Sequence, residues 1–132
     1  METTTEIIVK EEDIDELEHV NNSVYVTYLE KGRGDWYREA GFSFEEMKKH
    51  QYGTVVVKLN ITFIKEAKLR DRLKIKTIPI RLGNTSFDHK QEIYNEQGDM
   101  ITEAFVTNVM FDRKERKSIP VVKELARHFN NE

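Results

Sequence analysis

Apolar residues recur along this chain with two different periods, and the change from one to the other predicts the order of its elements. Residues 6–10 (Glu-Ile-Ile-Val-Lys) read as a short strand, followed by an acidic, aperiodic segment from Glu11 to Glu18. From about Ser23 to Ala40 the period is helical, with Tyr25, Leu29, Gly32, Trp36 and Ala40 on one stripe at spacings of three and four. Asn21 or Asn22 is a natural N-cap for this helix and Gly41 a natural stop. Gly32 and Gly34 inside it cost roughly 1 kcal/mol each relative to Ala. Such small residues suit a helix that another segment must approach closely.

After a short amphipathic piece at 43–50 the period becomes two. Val55, Val57, Leu59, Ile61 and Phe63 alternate with Val56, Lys58, Asn60 and Thr62, which predicts a long half-buried strand. Residues 72–80 place Leu73 and Ile75 between lysines, Leu82-Gly83-Asn84 marks a turn, and 85–95 read as a more polar strand. Asn95-Glu96-Gln97-Gly98 signals a hairpin, and 100–112 alternate again through Ile101, Glu103, Phe105, Thr107, Val109 and Phe111. Pro120 is placed to open a final short helix running through Phe129. Consecutive strands with short connections pair antiparallel, so the expected class is α+β with one long helix against one curved sheet of about five strands. The edges of such a sheet invite pairing with a second copy.

The chain has 132 residues, no repeats and no linker-like tract, which suits a single domain spanning 1–132. Its charged fraction of 34% carries a net charge of only -3, with both signs interspersed, and this argues against nucleic acid as an obligate partner. There is no cysteine, which excludes disulfides, thiolate metal sites and a cysteine nucleophile. The first residues lack the basic start and apolar run of a signal peptide, and no stretch approaches a membrane span. A cytoplasmic protein without membrane association is the expectation.

The segment Asp13-Ile14-Asp15-Glu16-Leu17-Glu18-His19-Val20-Asn21-Asn22-Ser23-Val24-Tyr25 resembles the hotdog-fold acyl-CoA thioesterases. It is similar to the 4-hydroxybenzoyl-CoA thioesterase-like branch and to acyl-acyl-carrier-protein thioesterases. Their motif is Asp-x-Asp, three residues, His-Val-Asn-Asn, two residues and Tyr, then Glu and Arg along the helix, here Glu30 and Arg33. The likeness continues through Phe63–Leu73, Gly98–Asp112 and Ile119-Pro120 and covers nearly the whole chain. It departs at Glu18, where many relatives have Gly, at Lys65-Glu66 in place of Arg-Pro, and at Arg70 in place of the Gly before Asp71. Leu17 stands where plant carrier-protein thioesterases have a functional Asn.

The resemblance implies a hotdog fold, hydrolysis of an acyl thioester, sites formed between subunits of a homodimer or tetramer, and no cofactor or metal. Its catalytic Asp maps onto Asp15 and its oxyanion donor onto the backbone N–H near Asn22. That pairing makes chemical sense, because hydrolysis needs a carboxylate or water to attack and donors for the oxyanion. A helix N-terminus supplies such donors.

On composition alone Asp15 reads as a solvated carboxylate or helix cap, since Glu11, Glu12, Asp13, Glu16 and Glu18 surround it. His19 has three open roles: bonding the carbonyl, orienting Asp15 or tying down the loop. Asn22 is an N-cap candidate whose side chain also has a route to substrate, and Tyr25 is a core residue with a possible substrate-binding hydroxyl. Glu30 and Arg33 at i and i+3 read as a surface ion pair. The basic cluster Lys65, Lys68, Arg70 and Arg72 reads as a solvated face or a grip on coenzyme A phosphates. Asp13, Asp15 and His19 match metal-ligand spacings poorly. Three functions stay open: an acyl-CoA thioesterase, an acyl-carrier-protein thioesterase, and a non-catalytic acyl-CoA-binding module.

Overall fold

The computed structural model describes residues 1–129. Ten elements follow in order: β1 (Thr3–Ile8), a 3-10 turn (Glu11–Asp13), α1 (Asn22–Ala40), α2 (Phe44–Lys49), β2 (Tyr52–Phe63), β3 (Arg72–Leu82), β4 (Ser86–Tyr94), β5 (Met100–Asp112), β6 (Lys117–Ser118) and α3 (Lys123–Ala126). The strands form one sheet in the order β1-β3-β4-β5-β2, with β6 on β5, and every pairing is antiparallel. The sheet curls around α1 as a half-barrel, the hotdog arrangement that the sequence leads one to expect. No helix among the described residues is long and apolar enough to cross a membrane.

The helical stripe is the inner face of α1, where Tyr25, Leu29, Gly32, Trp36 and Ala40 are all buried. Asn21 caps it by accepting from Ser23 N–H at 3.0 Å, and Gly41 ends it at φ 97°. Gly32 earns its helix penalty by proximity: a Cβ there would lie 2.9 Å from Ile75 Cγ2 and 3.0 Å from Gln91 Nε2. Two apolar clusters flank this contact. Leu29, Leu73, Ile75 and Ile101 anchor the first, and Trp36, Phe87, Met110 and Leu125 the second.

Three expectations about the elements need correction. The first strand begins earlier, because Thr3, Thr5 and Ile7 alternate inward against Thr77, Ile75 and Leu73 of β3. In β2 a bulge between Val56 and Lys58 breaks the alternation, and as an edge strand it leaves Val55, Val56 and Val57 exposed. The last helix is only Lys123–Ala126, with Val122 rather than Pro120 at its start.

Two departures from the family pattern coincide with strained backbone. Glu18 has φ 65° and Arg70 φ 72°, the left-handed region that glycine enters freely. Both hold tight loops: Glu18 N–H donates to Asp15 O, and Arg70 N–H to Val9 O, each at 2.9 Å. The left-handed conformation costs a residue with a Cβ ~1–2 kcal/mol, and glycine gives back part of that through its freer unfolded state. Glu18→Gly and Arg70→Gly should therefore each stabilise the protein by about 0.5–1 kcal/mol. Urea denaturation with an unchanged m-value is the check, and a loss of stability in both would contradict the strain argument.

Candidate active site

An antiparallel bridge between Ile14 and Val20 pinches residues 15–19 into a tight loop just ahead of α1. Asp15 N–H donates to His19 O at 2.9 Å, and Asp15 Oδ1 accepts from Leu17 N–H at 2.9 Å. This turn leaves the second carboxylate oxygen of Asp15 without a protein partner among the described residues. The loop is stitched to the segment after β2 by a His19–Lys68 bridge and by Val20 N–H donating to Ala67 O at 2.9 Å.

Asp15, His19, Asn22 and Tyr25 all border one open cleft of about 420 Å³, closed on its far side by Phe63 through Glu66. At its floor is the first turn of α1. Ser23 N–H is taken by the Asn21 side chain and Val24 N–H by Asn21 O, while Asn22 N–H has no acceptor among the described residues. A free donor at a helix N-terminus attracts developing negative charge. Asn21, rather than Asn22, is the cap.

Asp13 is differently engaged. Its Oδ2 accepts from Tyr28 Oη at 2.8 Å and from Lys10 N–H at 3.0 Å, which ties the loop to α1. Burial, reinforced by that carboxylate, pushes the Tyr28 phenol up. Tyr25 is buried, and its hydroxyl accepts from Ala67 N–H at 3.0 Å, so it braces the far wall of the cleft. Burial raises its pKa as well.

A larger groove of about 1090 Å³ runs along β1, the flank of α1 and the β4–β5 hairpin. It contains Asp13 and Tyr28 but none of Asp15, His19 or Asn22. The smaller cleft is bordered by a carboxylate, an imidazole and a residue with a free backbone donor, and this makes it the candidate site. Among the described residues no group of three or more His, Asp or Glu is disposed to hold a metal ion. The basic cluster is dispersed, with Lys65 bound to Asp99 at 3.0 Å and Lys68 beside Glu66 at 3.8 Å.

Two features were not readable from the sequence. Arg33 makes no pair with Glu30; it turns inward, 6% exposed, and its Nη1 donates to Gln91 Oε1 at 2.9 Å. Burial lowers its pKa. Nearby His89 is fully enclosed by Trp36, Tyr37, Phe87 and Phe129, and burial pushes it down to about 3. His89 is thus a neutral core residue distant in role from the cleft. The second feature is Glu66, whose Oε2 lies 2.9 Å from His19 Nε2. Its only signal in the sequence is the Lys65-Glu66 departure from the family's Arg-Pro.

Proteins similar to this chain include several thioesterases. The family model described as "Thioesterase-like superfamily" matches residues 9–129. The long-chain acyl-CoA thioesterase FadM of Escherichia coli (strain K12) is 34% identical over 122 residues, 92% of each chain. A crystal structure of DHNA-CoA thioesterase from Staphylococcus aureus superposes with a TM-score of 0.86 at 25% identity, covering 90% of this chain and 80% of that one. Slr0204, a 1,4-dihydroxy-2-naphthoyl-CoA thioesterase from Synechocystis, shares the fold at a TM-score of 0.88 and 19% identity, over 97% and 95% of the two chains. A match over almost the full chain, together with a relative above 30% identity, assigns the family: this chain belongs to the thioesterase-like superfamily.

Proposed function

We propose that this thioesterase, a single hotdog domain, hydrolyses an acyl-CoA thioester to the free acid and coenzyme A. In this reading Asp15 supplies the carboxylate that activates water or attacks the carbonyl carbon. Asn22 N–H receives the oxyanion, and His19 supports the exchange from the same loop. Tyr25 lines the acyl entrance. The observation that carries the reading is that Asn22, whose N–H has no acceptor among the described residues, borders the same cleft as Asp15 and His19. Water or carboxylate attack transfers negative charge to the carbonyl oxygen, and a preorganised donor there lowers the barrier.

The test is a panel of acyl-CoAs of graded chain length and aromatic character, with free thiol release as the readout. Turnover of at least one member is expected. Turnover only of acyl groups on a carrier protein would shift the substrate to that class. Tight binding without turnover would leave a non-catalytic acyl-CoA-binding module.

We further propose that the active form is a homo-oligomer, dimer or tetramer, joined through β2. That strand is a twelve-residue free edge whose Val55, Val56, Val57 and Phe63 are exposed. Unpaired edge groups beside apolar side chains favour pairing with a symmetry mate. Light scattering at micromolar concentration should give at least twice the single-chain mass. A monomer would refute the assembly.

A further inference from the structure

We propose that Glu66 is a positioning residue of this thioesterase, fixing His19 as the tautomer protonated at Nε2 so that Nδ1 is the ring atom left for the reaction. The inference rests on the reading of the cleft as the hydrolytic site and concerns a residue at which this chain departs from its family's pattern. Glu66 Oε2 lies 2.9 Å from His19 Nε2, and both residues border the cleft that contains Asp15. A carboxylate only accepts, so in the neutral imidazole the shared proton belongs to Nε2. His19 Nδ1, with no partner among the described residues, then carries the lone pair.

The placement of Glu66 is a consequence of the fold. Its neighbour Ala67 is held on both backbone groups: the N–H donates to Tyr25 Oη at 3.0 Å and the carbonyl accepts from Val20 N–H at 2.9 Å. The His19–Lys68 bridge aligns the two segments, and Lys68 Nζ sits 3.8 Å from the other Glu66 oxygen. These contacts fix the backbone on either side of the pair, and from there the half-exposed Glu66 side chain reaches His19. The pair chooses between the roles open to His19. With Nε2–H committed to Glu66, the neutral ring has no proton to donate to a thioester carbonyl. It acts instead as an acceptor for the attacking water beside Asp15, which leaves the oxyanion to the backbone donor.

The experiment uses the full-length protein and its Glu66→Ala and Glu66→Gln variants. Long-range ¹H–¹⁵N spectra at alkaline pH report the His19 tautomer, and steady-state kinetics on the best thioester report kcat and KM separately. The wild type should show Nε2 protonated and Nδ1 bare. Glu66→Ala should give a tautomer mixture and a kcat roughly tenfold lower with KM within about twofold. The loss is well below that of removing a buried orienting carboxylate, because this pair is partly solvated.

Glu66→Gln keeps the side-chain volume but offers an amide that both accepts and donates, so it should also give a tautomer mixture and a kcat loss close to that of Glu66→Ala. Its unchanged volume separates loss of the carboxylate from misfolding. An unchanged tautomer and kcat in Glu66→Ala would overturn the proposal, as would a loss confined to KM, which marks a substrate contact. If the wild type turns over no thioester, the functional reading fails while the tautomer measurement still decides whether Glu66 sets the ring.

Discussion

Replacing Asp15 with Asn should lower kcat for the best thioester by ~10²–10⁴-fold, equivalent to roughly 3–5 kcal/mol of barrier. Asn keeps the size of Asp and an oxygen to accept from Leu17 N–H, so the turn that the carboxylate now makes at 2.9 Å survives. What it cannot do is take a proton from water or form an anhydride. KM and thermal stability should move little. Asp13→Asn is the control: Asp13 serves Tyr28 and Lys10 rather than the cleft, so its loss should register in stability more than in turnover. His19→Ala should fall between the two, reducing turnover without abolishing it. Near-wild-type turnover by Asp15→Asn would refute the catalytic assignment. An unfolded Asp15→Asn would favour the structural role that composition alone suggests.

Replacing Gln91 with Leu should destabilise the fold by ~2–4 kcal/mol, the order expected when a hydrogen bond to a buried charge is lost together with two neutral ones. Gln91 is fully buried and links three elements: Oε1 accepts from Arg33, and Nε2 donates to Leu29 O and to Thr77 Oγ1, each at 2.9 Å. Leucine fills the volume but strands the guanidinium where burial already disfavours its charge. Adding Arg33→Met removes the stranded charge, so the double variant should recover a large part of the loss. The difference between the double variant and the sum of the singles measures the coupling. Urea denaturation of all four proteins is the measurement. A Gln91→Leu variant within about 1 kcal/mol of wild type would mean that Arg33 finds another partner at little cost.

Much of the architecture is written in local pattern. The Tyr25–Ala40 stripe, a cap at Asn21 or Asn22 (Asn21 in the structure) and the Gly41 stop each follow from residues a turn or two apart, and the structure reproduces them. β5 does alternate, but the residues it buries are Thr102, Ala104, Val106, Asn108 and Met110, so apart from Ile101 the stripe through Glu103, Phe105, Thr107, Val109 and Phe111 faces away from the core. The Asp15-to-Tyr25 motif likewise brings its own residues to one cleft, because a short loop and one helical turn leave them little room to separate. Local pattern fails where a residue's partner lies on another element. Glu30 and Arg33 look like a surface pair, yet the crossing of α1 over β4 puts Gln91 beneath Arg33, and the guanidinium goes there.

The valines of β2 alternate as a half-buried strand should, but a bulge and an edge position leave them exposed. Glu66 reads as one more surface charge until the backbone pairing of 19–20 with 67–68 sets it against His19. Glycine-seeking φ values at Glu18 and Arg70 are equally invisible in residues that carry no glycine. Periodicity tells that an element is a helix or a strand with two unlike faces, because that depends on spacing alone. Which group waits on the other side depends on sheet register and helix crossing, and those exist only once the whole chain has closed on its core.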